Sequence, residues 1–492
     1  MLLLVVSTLL KIGVVLGILL GIAPVLTWLE RRQSAMMQDR VGPVRSGIPL
    51  PGSIANLIQG PMAMGAKAVG YITAGLAIIA GVVLVLLLIA RWQLANAAMD
   101  PATRQWMLDA VGVASGNPSA VPASLEAAFS PVLTAYGWGV VVLALLSAFH
   151  FGAAWFVKNM VDKRGHLTAF GLIHPLNDVV KMIFKEDFVP PKADKFLHAA
   201  APIIATIPAF ATFAVIPFGP DLHWGAEGEP FYKWLIDVIP AGAAAGQVIP
   251  LQVANLNVGI LYVFAIAGTG IVGAAIAGYS SDNKYALLGG LRAASQMVSY
   301  EVTLGLTLVG SFMVYGTLLL DEMVAWQQAH VWGFLVQPLG LILYFFSAQA
   351  EMKRVPFDAP EGESEIVAGY FLEYSGMKWG LFMTGEFVEH IASSAIIVTL
   401  FFGGYDLPFL DPDGLRMEFL GVFVPMPHIL VVVLCVAGFV VKILLSTMLQ
   451  LQVRWTLPRF RYDQIMQLCW KIILPLSLVN ILVTGVVILL LQ

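Results

Sequence analysis

The stretch SAQAEMKRVPFDAPEGESEIVAGYFLEYSGMKWG, Ser347 to Gly380, sets five glutamates, Glu351, Glu361, Glu363, Glu365 and Glu373, between two long apolar runs. The chain around it is 59% hydrophobic and only 12% charged. An isolated carboxylate in hydrocarbon is costly, so acids this dense beside apolar runs must be solvated, paired or functional. The stretch reads as a loop joining two membrane spans.

Working outward, the 492 residues have a mean hydropathy of +0.83, far more apolar surface than one water-soluble core can hide. The apolar runs are about 20 residues long, the length that crosses a bilayer core of about 30 Å at 1.5 Å per residue. Ten runs are expected to span: about Leu3–Leu29, Val69–Ala90, Tyr136–Val157, Leu197–Phe218, Val258–Tyr279, Val302–Leu320, Val331–Ala350, Gly380–Phe402, His428–Leu449 and Ile472–Leu491. The expected fold class is all-α, a polytopic transmembrane helical bundle. The first run lacks a cationic leader and a small-residue cleavage site and ends in Glu30-Arg31-Arg32, which reads as a retained span.

Lys and Arg crowd into the loops at 30–68, 158–196, 280–301, 351–379 and 450–471, whereas the alternating loops hold Arg91, Arg104, Lys233 and Arg416. By the positive-inside rule both termini lie outside and the basic loops, with the five-glutamate stretch, face the cytoplasm. The outer loops at 91–131 and 219–255 are rich in Ala, Gly, Pro and Asp, as connections are. No internal repeat of the kind found in many secondary transporters is visible.

Cys435 and Cys469 form no CxxC, and the eight histidines show neither HxxEH nor HExxH spacing. This excludes a cysteine-ligated iron–sulfur cluster or zinc site within the chain and gives no reason to expect a disulfide. No metal, FAD or FMN is expected, and any electron carriers belong to partner chains. A net charge of −4 argues against nucleic-acid binding.

Three further segments carry charge where apolar residues are the rule. WLERRQSAMMQDRVGPVRSG, Trp28–Gly47, sets Arg31, Arg32, Arg40 and Arg45 beside Glu30 and Asp39, either as interfacial anchors or as groups aimed at a docking partner or anionic head group. In AFGLIHPLNDVVKMIFKEDFVPP, Ala169–Pro191, Leu172, Leu176, Val180, Ile183 and Phe184 mark one helical face, with Asp178, Lys181 and Lys185 apart from it. That is the pattern of an interfacial helix, and Asp178 and Lys181 are spaced for an ion pair. In SSDNKYALLGGLRAASQMVSYEV, Ser280–Val302, Gly289-Gly290 permits close helix approach and Glu301 enters an apolar helix. Glu301, Glu351 and Glu386 come from three different spans. They either reach water or cations such as Lys353, Arg354 and Lys378, or act together as proton carriers.

These segments, with RWTLPRFRYDQIMQLCWK from Arg454 to Lys471, resemble in order the signature segments of the H-type membrane subunit (subunit 1) of NADH:quinone oxidoreductase, respiratory complex I. The resemblance covers most of residues 1–47 and 166–492. It implies a membrane subunit without redox centres that forms a quinone-binding chamber with the peripheral arm and couples quinone reduction to ion translocation. Carried over by position, Arg31, Arg40, Arg45, Asp178, Lys181, Glu361, Glu363 and Glu365 match the chamber and its entrance. Glu301, Glu351 and Glu386 match the buried acidic relay, and Arg354, Asp358 and Glu373 the connecting region. The implied substrate is a quinone. The implied partners are the iron–sulfur and quinone-site subunits of the peripheral arm, the small membrane subunits and the antiporter-like subunits, in a bacterial cytoplasmic membrane.

The chain departs from that pattern at Val44 for the usual Asn, His174 for Gln, Asn177 for Ala, and Met352-Lys353 for Thr-Asn. Lys353 adds a cation beside the acids. The chain is thereby divided into 1–47, a first span with its basic loop; 48–166, an inserted two-span hairpin; and 167–492, which completes the family core with the first span. The nearest rival is the homologous membrane anchor of an energy-converting hydrogenase or formate hydrogenlyase, which binds no quinone. A free-standing cation transporter is the rival from another class.

The hairpin reading makes a testable statement. A cysteine placed at Ser115, in the loop between the inserted spans, is expected to react with an impermeant maleimide added outside intact cells. Reaction only in inverted vesicles would overturn the topology.

Overall fold

The computed structural model describes residues 2–40, 42–43, 48–49, 52–95, 140, 143–144, 146–158, 160, 166–168, 171–224, 247–417 and 422–491. The chain forms two compact units, one of residues 1–42 and 175–492 and one of residues 43–174. Arg45, Ser115 and the expected outer loop of the inserted hairpin lie outside the described residues, as does part of the span expected at Tyr136–Val157.

The larger unit is a helical bundle. Its helices are α1 (Leu2–Met37), α2 (Ile173–Phe184), α3 (Lys195–Ala211), α4 (Gly259–Ser280), α5 (Lys284–Tyr315), α6 (Leu320–Ala329), α7 (Pro338–Glu351), α8 (Gly376–Phe401), α9 (His428–Thr456) and α10 (Leu474–Leu491). Among the described residues of the whole chain, eight helices are long and apolar enough to cross a membrane. Their outward faces carry exposed Leu9, Leu10, Val272, Val433, Leu445 and Leu482, which water would penalise and lipid accepts. The protein is an all-α, multi-pass membrane protein.

The bundle centres on α8, which is buried along most of its length from Glu386 to Phe401 and packs against α1, α3, α6, α7 and α9. Helices come close where side chains are small. A Cβ at Gly273 of α4 would stand 2.5 Å from the backbone nitrogen of Ala205 in α3. The Gly289-Gly290 step does the same for α5: a Cβ at Gly290 would stand 3.2 Å from the Cα of Gly278, and one at Gly289 2.6 Å from the Cα of Gly369. The second approach seats the loop after α7 directly on α5. The turn between α4 and α5 is set by Asn283, whose side chain caps α5 by accepting from the Tyr285 amide at 2.9 Å.

The span expected at Val331–Ala350 is not one helix. A four-residue turn, Gly333–Val336, is followed by Gln337 in a non-helical conformation and then by α7, which opens on Pro338 and runs 14 residues. At 1.5 Å per residue α7 is about 21 Å long, short of the bilayer core. Proline favours the first helical turn, so the break falls where the sequence allows it. The buried polar group left at the break is satisfied across the bundle: Gln337 Nε2 donates to Thr484 Oγ1 at 2.8 Å, and Asn480 Nδ2 donates to Gln337 Oε1 at 3.0 Å. Small antiparallel sheets absent from the all-helical expectation lie in two connections, Leu222–Trp224 with Gln247–Ile249, and Leu410–Asp411, Gly414–Met417 and Val422–Pro425.

The unit of residues 43–174 holds a helix at Ala63–Ala95 and a two-residue antiparallel pairing of Ile48–Pro49 with His166–Leu167. Ser147 Oγ donates to the Gly70 carbonyl at 3.1 Å and Tyr71 meets Phe151 edge to face at 5.0 Å, so two helical segments pack as a pair.

The α3–α4 contact tolerates no added volume at Gly273. Gly273→Val is expected to lower the detergent-solubilised melting temperature or abolish assembly, overpacking of this kind costing about 1–3 kcal/mol or more. A parental melting curve would show that the two helices separate freely.

Candidate functional site

In the larger unit, α1, α2, α8, the end of α9 and the loop after α7 enclose a cavity of about 580 Å³. One wall is apolar, with Leu20 and Ala23 of α1, Val179 and Met182 of α2, and Leu381, Met383 and Phe387 of α8. The other holds Glu30, Arg31, Asp178, Lys353, Arg354, Asp358, Glu361, Glu386 and Arg454. Amphipathic α2 serves both sides. Its Leu176, Val180, Ile183 and Phe184 are exposed, while Asp178 turns inward to Arg31 at 2.6 Å. Asp178 therefore pairs with α1 rather than with Lys181, which is exposed.

At the centre of the charged wall is Arg354, 8% exposed. Its Nη1 lies 3.5 Å from Glu30 Oε1, its Nη2 lies 3.3 Å from Glu386 Oε2, and its guanidinium sits over the Phe387 ring at 4.6 Å. Arg454 also pairs with Glu30, and the Tyr370 hydroxyl donates to Glu386 Oε1 at 3.5 Å. Arg354 Nε is buried without a hydrogen-bond partner among the described residues. Glu361 enters the same cluster half-buried. Burial first, and then the Glu386 carboxylate beside it, hold its carboxyl well above the ordinary range, against the opposing pull of Arg354 and Lys353. It keeps a proton to higher pH than a solvated glutamate.

Within the acidic run Glu361, Glu363 and Glu365, spaced two apart, Glu361 and Glu365 diverge. Glu363–Ile366 is a single helical turn, which sends alternate residues in different directions. Glu361 faces the cavity and Glu365, exposed, pairs with Arg292 at 2.7 Å. The side chain of Glu363 lies outside the described ones. Asp358 pairs with Arg459 at 2.6 Å, and Glu373 accepts from Asn283 Nδ2 at 2.7 Å, so both tie the loop to its neighbours. Lys378, a candidate partner for the buried acids, pairs instead with Asp187 at 2.8 Å.

Glu351, at the end of α7, lines a second, small cavity of about 40 Å³ together with Glu389, Tyr344 and Ser393. That volume has room for a water molecule or two. Glu301 lies within electrostatic reach of Glu351 and rests against Gly268 of α4, where a Cβ would meet its Oε1 at 2.5 Å. Glycine makes the room for the carboxylate. Of the residues expected from sequence, the structure thus gathers Arg31, Asp178, Arg354, Asp358, Glu361 and Glu386 at one cavity and sets Glu351 and Glu301 beyond it. Arg40, exposed just past α1, and Lys181 do not line it.

Four participants were not foreseen as site residues: Glu30, Arg454, Tyr370 and Glu389. Glu30 and Arg454 lie in basic segments that read as interfacial anchors, and only the α1–α9 contact pairs them. Glu389 stands three residues after Glu386, a spacing that places both on one helical face and was the available signal.

A family model for NADH dehydrogenase matches residues 139–485. The chain belongs to that family. It is 41% identical over 347 residues to the H 1 subunit of the NADH-quinone oxidoreductase of Geobacter metallireducens, covering 70% of this chain and 92% of that one. It is 41% identical over 321 residues to the corresponding H 1 subunit of Cytophaga hutchinsonii (65% and 85%), and 37% identical over 372 residues to the H subunit of Thermomicrobium roseum (72% and 96%). As a member of this family, the chain is a membrane subunit of an NADH-quinone oxidoreductase complex. The resemblance of its motif segments is thereby extended to most of the sequence.

Arg354 is expected to be structurally irreplaceable by an apolar side chain. Arg354→Met strands Glu386 and leaves Glu30 only Arg454, and breaking a buried ion pair from one side costs about 3–5 kcal/mol. Arg354→Lys, a point charge unable to fork between two carboxylates, is expected to recover only part of the assembled complex. Quantitative native-gel or immunoblot measurement of assembly decides it, and full assembly of the Met variant would overturn the bridge.

Proposed function

We propose that the larger cavity receives a quinone and that the acids beyond it convey the electrostatic consequence of quinone reduction into an ion path. The observation that carries this is the cavity itself: about 580 Å³, apolar on the α1–α2–α8 side and charged around Arg354. Pockets of this size, mostly apolar with a few placed polar groups, suit drug-sized amphiphiles. An isoprenoid tail suits the wall of Leu20, Val179 and Met182, and α2, with its exposed apolar face, forms a sill between bilayer and cavity. Quinone carbonyl oxygens are acceptors, and the Lys353 ammonium and Arg354 guanidinium that line the cavity are donors.

Electrons arrive from iron–sulfur carriers of the peripheral arm, which docks over Arg40, Lys181 and Glu365; to these the resemblance adds Arg45 and Glu363 by sequence position alone. Charge appearing on the reduced quinone then acts on Arg354, Glu386 and Glu361 and, past them, on Glu351 and Glu301. In a medium of low dielectric such charges feel one another strongly, so the acids titrate as a coupled set. Glu301, Glu351 and Glu386 carry the proton; Arg354, Asp358 and Glu373 hold the loop that joins the chamber to them. In the cytoplasmic membrane of a bacterium, with both termini outside, this loop faces the cytoplasm, where the peripheral arm docks; the small membrane subunits and the antiporter-like subunits complete the pump.

Two measurements test the assignment. Glu351→Gln, Glu386→Gln and Glu301→Gln keep shape and hydrogen bonding but cannot titrate, and each is expected to cut quinone-coupled proton translocation at least about tenfold in assembled complex, general acid–base groups contributing about 10²-fold or more. Val179→Trp narrows the cavity without altering charge and is expected to raise the KM for quinone several-fold, while NADH oxidation by a hydrophilic acceptor at the peripheral arm stays parental. An assembled Gln variant that pumps at the parental rate would remove that acid from the path. A parental quinone KM in the Trp variant would move the quinone elsewhere.

A further inference from the structure

Between the two cavities stands one side chain. Lys353 lines the larger cavity, and its Nζ lies 3.8 Å from Glu389 Oε2, while Glu389 and Glu351 line the smaller one. The Lys353 side chain is 7% exposed, and its other close contact is Met297 Sδ at 3.6 Å, a weak acceptor. An ammonium has three strong donors. Here they share one carboxylate oxygen at a distance well beyond the roughly 2.7–2.9 Å of a tight charge-assisted hydrogen bond.

The backbone adds a second observation. Lys353 has φ +56°, the left-handed region, which a residue with a Cβ adopts at a cost and which persists only where the surroundings enforce it. The position closely follows the end of α7, so the side chain leaves the helix end toward the gap between the cavities. Asparagine tolerates this conformation better than lysine, so lysine is not there for the turn.

The charged groups facing Lys353 come from three elements: Glu389 and Glu386 of α8, Glu361 of its own loop and Glu351 of α7. Burial pulls the amine down, and these carboxylates more than offset it, holding Lys353 above its ordinary value. Glu389 in turn faces Arg354 as well as Lys353 and Glu386. Arg354 is already committed to Glu30 and Glu386. Lys353 is therefore the cation that is loosely held, on a flexible stem, lining the larger cavity and joined to the smaller one through Glu389.

We propose that Lys353 is a movable countercharge: it neutralises Glu389 while the larger cavity is uncharged, and turns to an anion formed there, leaving Glu389 and Glu351 to take up a proton. The inference rests on the quinone reading above. The anion is the quinone after it accepts two electrons from an iron–sulfur carrier of a partner subunit. No covalent bond forms or breaks at Lys353, which keeps its own protons. The proton taken up by Glu389 or Glu351 comes from solvent through the Glu301 side; the doubly reduced quinone then takes two separate protons from cytoplasmic solvent, which removes its negative charge, and the acid's proton is released as Lys353 returns.

The test uses the whole complex in sealed vesicles, reading NADH oxidation, quinone reduction and proton translocation together. Lys353→Asn suits the left-handed backbone and removes the charge; protons translocated per NADH are expected to fall at least about twofold, more than turnover does. Lys353→Arg keeps a cation on a long stem and is expected to restore most of the ratio. Glu389→Gln removes the other partner and is expected to lower the ratio as Lys353→Asn does, with the double variant no worse than either single one. A parental ratio in assembled Lys353→Asn, or in Glu389→Gln should the Asn variant fail to assemble, overturns the countercharge. A parent complex that reduces no quinone would sink the quinone reading itself, and the inference with it, before any variant is compared.

Discussion

The charged wall of the larger cavity answers to the cost of holding charge inside a low-dielectric bundle. Arg354 meets that cost for two carboxylates at once, one on α1 and one on α8, and so fixes where those helices can stand relative to the loop after α7. The loop is held in turn by uncharged contacts. Gln296 of α5 donates to the carbonyls of Ala350 and Phe357, both at 2.7 Å, the Phe460 amide donates to the Pro356 carbonyl at 3.0 Å, and Gly369 lies on Gly289. Remove the glycine contact or the glutamine, and the guanidinium loses its address. Neutral packing positions the charge, and the charge shapes the cavity.

The same constraint separates the lipid-facing surface from the interior. Apolar side chains cover the outside of α1, α4, α9 and α10, while hydroxyls and amides are turned inward, as with Ser394, Thr447 and Gln450 between α8 and α9. In lipid there is no hydrophobic drive for helices to associate, so small-residue contacts and such interhelical hydrogen bonds do the joining. This is the reverse of a soluble core, and it explains how buried acids can persist in the middle of a bundle whose exterior is greasy.

Much of this was legible in the chain itself. Eight of the ten long apolar runs coincide with membrane-length helices among the described residues, the double glycine at 289–290 predicts the close approach observed, and the period of Leu176, Val180, Ile183 and Phe184 predicts the amphipathic helix α2. Other features depend on partners distant in sequence. Glu30 and Arg454 are 424 residues apart and look like ordinary anchors until α1 and α9 meet. The direction of Glu361 against Glu365 turns on one helical turn at 363–366, which a run of alternating acids does not announce. The break at Gln337 is hidden because Gly333–Ala350 is apolar enough to read as one span, and only the pairing with Asn480 and Thr484 makes a break there tolerable.

That break has a bearing on the bilayer. A helix of about 21 Å set among neighbours of full length creates hydrophobic mismatch, which lipid relieves by thinning and proteins relieve by shielding. Here the Gln337–Asn480–Thr484 knot does the shielding from inside, pinning the start of α7 at Pro338 while its far end carries Glu351. The carboxylate sits 14 residues from the pinned break, and lengthening or shortening that helix would translate the acid along the membrane normal by about 1.5 Å per residue. Depth, rather than chemistry alone, is what α7 encodes.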